Sequence, residues 1–297
     1  MTFHQINEHC FYYNSAVNIG YVTDGLTGLL IDTGIDRSAV KKVEKELQNL
    51  GLPLTHLFIT HAHADHYGGA AYLQKNYNLH TCAPPLEAAI LENPSLEPLY
   101  LFGGNDPLPE LHNKFLEAPA MQVDEIIKEG ELSIGTIPVR AISTPGHSCQ
   151  QMCLLIYETL YAGDAYFSTE QLHKHKVPYI TDASQTIESL NKLLQVSCSG
   201  AIPGHGTYEE NFQDTVQANI EYHEQLLMWL EEVLKKEMTQ EEVVREMCRG
   251  FEVRTPQLSQ WLLYRTAVTA YLIGLIKREK ITHDVSDFAW TFQRVRS

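Results

Sequence analysis

No stretch of this sequence approaches the roughly 18–20 consecutive apolar residues that a membrane-crossing helix requires. The opening segment, MTFHQINEHC, lacks the basic-then-apolar order of a secretory signal. Together these absences set the expectation of a cytoplasmic protein with no membrane partner. Basic charge is scarce: 22 Lys and Arg stand against 37 Asp and Glu, a formal charge of −15. No Lys/Arg stripe with interleaved aromatics exists, the densest basic spots being Lys174 with Lys176 and Lys277-Arg278 with Lys280. An acidic surface repels a phosphate backbone, so nucleic acid is disfavoured as the main partner. Cysteine is sparse too. Cys10, Cys82, Cys149, Cys153, Cys198 and Cys248 contain no Cys-x-x-Cys pair, and a chain of 297 residues does not need stapling. Most are expected to be reduced, several of them in the core. Internal repeats and low-complexity tracts are also missing.

What is present is an ordinary globular composition, 44% hydrophobic and 20% charged, which excludes disorder as the default state. Gly28-Leu29-Leu30-Ile31-Asp32 reads as a buried strand with Asp32 at its end. Val40, Val43, Leu47 and Leu50 recur at helical spacing over 36–50, with Gly51 as a left-handed cap. A short apolar run, Leu57-Phe58-Ile59-Thr60, precedes a segment over 66–77 that reads as helix. Seven prolines punctuate 84–120, which predicts an irregular insertion; Leu99-Tyr100-Leu101-Phe102 with Gly103-Gly104 reads either as a lid or as a buried connector. Strand-like runs follow at 137–142, 153–157 and 159–162, then a helix over 183–196 capped from Asp182 or Ser184, and a strand near Gly200-Ala201-Ile202. This order predicts an α/β core with mixed sheets. Beyond Gly206 the pattern reads as helical throughout: Ile220, His223, Leu227, Leu230 and Leu234 keep helix spacing, Thr239 and Glu242 form a capping box, and Thr255-Pro256 offers an N-cap and an N1 proline. The chain accordingly divides at 1–210 and 211–297, the second part a helical domain whose apolar positions could also serve a homodimer.

The sharpest feature is Thr60-His61-Ala62-His63-Ala64-Asp65-His66, three imidazoles and a carboxylate directly after an apolar strand. Imidazole nitrogen and carboxylate oxygen suit zinc, and a strand-to-helix turn can aim neighbouring side chains at two adjacent ions. Three further donors follow a glycine at a strand end: His147 in Thr-Pro-Gly-His, Asp164 in Ala-Gly-Asp and His205 in Pro-Gly-His-Gly. Tyr166 and Phe167, just past Asp164, are candidates to line a substrate pocket, and His173, Lys174, His175, Lys176 and Tyr179 are candidates to contact an anionic substrate. The bland alternatives are core packing for the first two and a solvated loop for the others. The remaining histidines lack ligand context, and His223, on the apolar face of a helix, reads as a packing residue.

With these residues in hand the sequence resembles the metallo-β-lactamase superfamily, whose hallmark is His-x-His-x-Asp-His followed by a distant His, an Asp and a last His; the match covers residues 10–210. The resemblance implies an αββα sandwich with the metal site at one edge, here carrying a helical C-terminal domain. It further implies that His61, His63 and His147 hold one divalent ion, that Asp65, His66 and His205 hold another, and that Asp164 bridges both together with a water or hydroxide. Asp32, in Leu-Ile-Asp-Thr-Gly, is implied to orient a ligand or its loop. An acidic bridge favours the glyoxalase II-like side of the superfamily, so the implied activity is hydrolysis of an ester, thioester, lactone or similar acyl bond of a small molecule, with two ions, zinc first and iron or manganese as alternatives. Asp65 is the candidate proton shuttle. Three other readings stay open on the sequence: a mononuclear iron persulfide dioxygenase, a phosphodiesterase or RNA-cleaving relative, and a non-enzymatic interaction module stapled by metal. Residues 211–297 carry no motif that assigns a glutathione site.

Overall fold

A computed structural model describes residues 2–254 and 257–295. The first sheet has seven strands in chain order, β1 (Thr2–Gln5), β2 (Cys10–Asn14), β3 (Ile19–Thr23), β4 (Gly28–Ile31), β5 (His56–Phe58), β6 (His80–Ala83) and β7 (Glu125–Ile126). The first four pair antiparallel, and β4 to β7 pair parallel. The parallel half needs crossovers. The first crossover carries α1 (Arg37–Leu50), capped by the Asp36 side chain at its start and by Gly51 at φ 66° at its end. The second carries α2 (Ala64–Tyr67) and α3 (Ala70–Asn76), two short helices flanking Gly68-Gly69 where the pattern reads as one. The third is the 84–124 insertion. There Pro84 and Pro85 do not break structure but start a helix, α4 (Pro85–Glu92), because proline at the first helical position sacrifices no intrahelical bond; α5 (Leu96–Leu101) follows.

The second sheet comprises β8 (Gly130–Ile134), β9 (Ile137–Ser143), β10 (Met152–Ile156), β11 (Thr159–Gly163) and β12 (Gly200–Pro203), in the order β12-β11-β10-β9-β8. α6 (Thr169–His175) and α7 (Ala183–Leu194) lie between its last two strands in the chain. The facing sides of the two sheets bury Tyr12, Val22, Leu29, Phe58 and Cys82 against Val139, Leu154, Ile156, Tyr161 and Ile202. On the outer face of the first sheet, Leu30, Leu57 and Ile59 pack on Val40, Val43, Leu47 and Leu73. On the outer face of the second, Ile142, Leu160 and Ala162 pack on Leu190 and Leu193 and on Phe212 and Val216 of α8 (Phe212–Val233). Four layers result, α, β, β, α, the predicted sandwich.

The C-terminal part is not wholly helical. β13 (Met238–Thr239), α9 (Gln240–Gly250), α10 (Leu258–Lys277), β14 (Ile281–Ser286) and β15 (Ala289–Arg294) follow α8, and the strands form a small sheet in the order β13-β15-β14. β14 and β15 make a two-residue hairpin with Asp287 and Phe288 both at positive φ, 45° and 60°. That turn geometry usually recruits Asn-Gly or Asp-Gly; Asp-Phe conceals it in the sequence. The Thr239–Glu242 capping box is present. The Thr255-Pro256 cap falls outside the described residues. α8 serves two cores, since Phe212 and Val216 pack on the second sheet while Leu226, Leu227 and Leu230 pack with α9, α10 and Phe292. The helical additions are therefore continuous with the sandwich.

All six cysteines are free thiols, with Cys10, Cys82 and Cys153 buried. No helix among the described residues is long and apolar enough to cross a membrane.

His223 is a buried core residue, its Nδ1 2.7 Å from the Tyr271 hydroxyl, and burial pushes its pKa down to about 4. The folded state holds it neutral whereas the unfolded chain protonates it near pH 6.5, so its stabilisation is present above that pH and is lost as pH falls towards 4. In denaturant unfolding of chelator-stripped protein between pH 7 and 4, the wild type should lose about 3 kcal/mol more than His223→Gln. Parallel curves would show that His223 is not held neutral.

Candidate metal centre

The chain after β5 turns sharply into α2 and delivers His61, His63, Asp65 and His66 to one edge of the sandwich, where the ends of β9, β11 and β12 bring His147, Asp164 and His205. The structure places all seven together. Donor atoms of His61, His63 and His147 lie within 4.8 Å of one another, as do those of Asp65, His66 and His205, and those of His61, His66 and Asp164. Asp164 Oδ2 is 3.4 Å from His147 Nε2 and 3.5 Å from His205 Nε2, between the two outer sets. The close approach depends on glycine: a Cβ on Gly204 would fall 2.0 Å from Asp164 Oδ1, and one on Gly146, at φ 133°, would fall 2.5 Å from the Thr186 amide nitrogen.

Four of the imidazoles have one nitrogen fixed from behind. His147 donates from Nδ1 to the Tyr179 carbonyl at 2.9 Å, His205 from Nδ1 to the Ala16 carbonyl at 2.8 Å, and His66 from Nδ1 to Asp32 Oδ2 at 2.8 Å. His61 Nδ1 meets Thr60 Oγ1 at 3.0 Å, and that hydroxyl donates to Asp32 Oδ2 at 2.9 Å. Asp32 also accepts from the Thr60 amide at 2.8 Å and sits at φ 61°, a left-handed conformation that aspartate tolerates better than most residues. The Asp164 amide donates to Gln151 Oε1 at 3.1 Å. Such outer partners select the tautomer and aim the free nitrogen inward.

Buried polar atoms are normally paired, yet His61 Nε2, His66 Nε2 and Asp164 Oδ1 have no hydrogen-bond partner. The titration pattern divides the cluster. Burial depresses His61 well below its ordinary value and brings His63 and His147 to about 4, so these three are neutral donors. His66 and His205 resist burial because Asp164 faces both; His66 is raised well above its ordinary value and His205 to about 10. Against the same burial, His66 draws Asp65 down to about 2, and His205 and His66 hold Asp164 well below the carboxylate range. Two protons thus balance two carboxylates where a divalent cation would balance them equally well. Nitrogen and oxygen donors with unsatisfied inward-facing atoms fit zinc or a neighbouring divalent metal.

A cavity of about 200 Å³ opens on this cluster, lined by His63, Asp65, His147, Asp164 and His205 on one side and by Glu97, Phe115, Leu116, Phe167, His175, Tyr179 and Leu263 on the other. Of the predicted substrate contacts, Phe167, His175 and Tyr179 are here. Tyr166 is not: it is buried behind the second sheet beside Phe212, because consecutive residues leaving β11 point to opposite sides. His173 lies against Tyr222, and Lys174 and Lys176 line a different surface depression, with Lys176 Nζ donating to the Glu252 carbonyl. The Leu99–Gly104 stretch does not itself line the cavity, nor does it run between the two sheets; Leu101 packs with Leu111, Leu116 and Leu262 of α10, while Tyr100, Gly103 and Gly104 are exposed.

Two carboxylates were not foreseen. Glu87 of α4, fully buried, accepts from the Ala62 amide at 2.8 Å through one oxygen and from Ser148 Oγ and the Gln150 amide through the other, tying the loop of His61 and His63 to that of His147. Glu97 of α5 lines the cavity, is buried with Oε2 unpaired, and is held well above the ordinary carboxyl range by burial and then by Asp65 and Glu87. The only sequence signal was a charged residue inside an otherwise apolar, proline-punctuated stretch.

The family model described as the metallo-beta-lactamase superfamily matches residues 12–205. A lactamase-like protein of Pestalotiopsis microspora is 28% identical over 200 residues, covering 67% of this chain and 52% of that protein. The atrochrysone carboxyl ACP thioesterase of Aspergillus fumigatus is 27% identical over 221 residues, covering 72% and 60%. The chain thus spans between half and three fifths of the length of these relatives. Among solved structures, a beta-lactamase domain protein from Burkholderia ambifaria superposes with a TM-score of 0.77 at 18% identity over 99% of this chain and 93% of its own. A metallo-beta-lactamase family protein from Thermus thermophilus superposes at 0.70 and 19% identity, over 94% of each. Both likenesses are of fold.

Asp32→Asn keeps a residue that tolerates the left-handed backbone and removes the charge facing His66. Chelator-competition titration should show metal affinity reduced about 10–100-fold. An unchanged affinity would mean that His66 is oriented without Asp32.

Proposed function

The chain belongs to the metallo-beta-lactamase superfamily, and on that premise we propose that it is a dinuclear metal hydrolase of small acyl substrates, esters or thioesters, on the glyoxalase II-like side of the family. The observation that carries this reading is the convergence of seven donors, four buried and three half-buried, three of their atoms unpaired, beside an open cavity. A structural metal staple would instead use a closed set of four ligands with no cavity beside it.

In this reading His61, His63 and His147 hold one ion, Asp65, His66 and His205 hold the other, and Asp164 lies between them. Zinc suits these donors, with manganese or iron as the alternatives. When bound, the ions supply Lewis acidity, which acidifies a water and polarises the acyl carbonyl. The chain's own groups do the rest. Asp65 faces the cavity with Oδ2 3.5 Å from His205 Nε2, and is placed to take a proton from the attacking water and return it to the leaving group. Phe115, Leu116, Phe167 and Leu263 give the opposite wall an apolar surface that holds the acyl portion and excludes bulk water. Phe115, Leu116 and Leu263 also line a second depression of about 800 Å³ that reaches Leu258 and Gln260 at the start of α10, leaving room for a substrate longer than the metal pocket itself. That the Aspergillus relative is named a thioesterase supports placing thioesters first among the acyl bonds.

The test is elemental analysis of untagged protein together with turnover of a panel holding acyl thioesters, a lactone, a β-lactam and a phosphodiester. Two equivalents of zinc or manganese are expected, with thioester or ester hydrolysis lost in Asp164→Ala. One equivalent of iron with oxygen consumption on a persulfide, and no hydrolysis, would overturn the proposal. Asp65→Asn at full metal occupancy should lower kcat by about 10²–10⁴; undiminished turnover would remove Asp65 from proton transfer.

A further inference from the structure

A second cluster of metal-ligating side chains lies apart from the catalytic pocket, on the far strands of the first sheet. His80 and Cys82 are two residues apart on β6 and therefore share one face of the sheet. The parallel pairing of β7 sets Glu125 opposite Cys82 in register. The donor atoms of His80, Cys82 and Glu125 all lie within 4.8 Å of one another, with His80 Nε2 2.9 Å from Glu125 Oε2. His56, paired with His80 in register on β5, stands beside the group with its ring centroid 5.6 Å from that of His80. The His80 and Glu125 side chains are about half exposed, at 45% and 48%, while the free thiol of Cys82 is fully buried beneath them.

Packing accounts for a buried cysteine, and a surface ion pair accounts for a histidine beside a glutamate. Neither accounts for a free thiol held within 4.8 Å of both. Imidazole, thiolate and carboxylate are the three donor types zinc takes, at bond lengths of about 2.0–2.3 Å, which set neighbouring donors of one tetrahedral ion some 3.3–3.8 Å apart. A contraction of an ångström or so brings this group to that geometry, and its two outer members give an ion a way in from solvent.

We propose that His80, Cys82 and Glu125 form an accessory site for a thiophilic divalent cation of the zinc class, separate from the catalytic centre, with solvent in the fourth position. Binding exchanges one proton for the cation: the Cys82 S–H proton leaves to water as the sulfur–metal bond forms, while the N–H that faces Glu125 moves to the other ring nitrogen of His80, so that imidazole and carboxylate each turn a lone pair to the ion. The ion ties β7 to β6. β7 has two residues, and it receives the chain from the insertion that carries Glu97, Phe115 and Leu116 to the catalytic cavity. A bound cation therefore fixes the returning end of that insertion.

The catalytic donors are all nitrogen and oxygen, so a thiolate-to-cobalt charge-transfer band in the near ultraviolet reports on this site and not on the catalytic one. In a Co²⁺ titration of the 297-residue chain stripped with chelator, the wild type is expected to show the band, Cys82→Ala to lose it, and Asp164→Ala and Cys149→Ser to retain it. His80→Gln and Glu125→Gln, at positions the fold leaves exposed, should each raise the Co²⁺ concentration at half-maximal band by at least tenfold. These two variants decide the matter if Cys82→Ala does not fold. A wild type without the band, a band that survives Cys82→Ala, or a midpoint unmoved by both glutamine variants would overturn the proposal. No turnover is read, so the outcome is independent of the hydrolase reading.

Discussion

The contact on which the metal edge depends is that of Asp32 with the loop beyond β5. One buried carboxylate accepts from the Thr60 amide, the Thr60 hydroxyl and His66 Nδ1, and so fixes the end of β4 against the turn that carries four of the seven donors. The arrangement is costly in isolation: a buried charge needs hydrogen bonds on all sides, and the left-handed backbone at Asp32 adds strain. Both costs are offset only with the whole set in place, because removing one partner leaves an unpaired group in a low-dielectric interior. Glu87 repeats the device from the other side, joining Ala62 to Ser148 and Gln150. Two carboxylates outside the lining of the cavity at the donor cluster thus help to decide where the inward-facing nitrogens point.

How much of this is legible in the sequence follows from the range of the contacts. His61, His63, Asp65 and His66 are adjacent in the chain, and their meaning is local. His147, Asp164 and His205 are distant, but each follows a glycine at a strand end, and the space at Gly146 and Gly204 bears out why a side chain there is excluded. Glu87 and Glu97 carry no such mark; Glu87 acquires its role from partners 25, 61 and 63 residues away, a separation no spacing rule encodes. The small C-terminal sheet escapes for a different reason. Its strand pattern in Ile281-Thr282-His283 and Trp290-Thr291-Phe292 is short and follows two long helices, and its turn places Phe288 at positive φ, where a glycine would have announced a hairpin. Tyr166 and Phe167 differ only in the side they face, which becomes unreadable where strand alternation ends.

The acidic balance of the chain and the charge pattern of the donor edge are consistent once local and global charge are separated. The net charge of −15 is spread over the surface, where it is screened by salt over about 10 Å. Inside the site, burial alone would leave every imidazole neutral, and it does so for His61, His63 and His147. His66 and His205 escape because Asp164 faces both, and the result is a site with neutral donors on one side and proton–carboxylate pairs on the other. The two halves differ both in residue type, three imidazoles against two imidazoles and a carboxylate, and in the charges that surround them.

The C-terminal additions are joined to this chemistry by packing. α10 sends Leu262 into a cluster with Leu101, Leu111 and Leu116 of the insertion, and places Leu263 on the cavity wall beside Leu116. The wall facing the metal edge is thus shared between an insertion in the first sheet and a helix added after the sandwich is complete. The sandwich holds the donors rigidly because their carriers are strand ends and a tight turn. The facing wall is carried by the short helices and connecting chain of the insertion and by the first turns of α10, packed together largely through apolar side chains. The chemistry and the shape that selects a substrate therefore rest on separate parts of the chain, and the shape can change without disturbing the donors. That division explains why the candidate donors are legible from the sequence while the shape of the pocket is not: the donors are marked by residue type, and the wall by side-chain volume at positions such as Leu116 and Leu263, where any apolar residue of similar size would read the same.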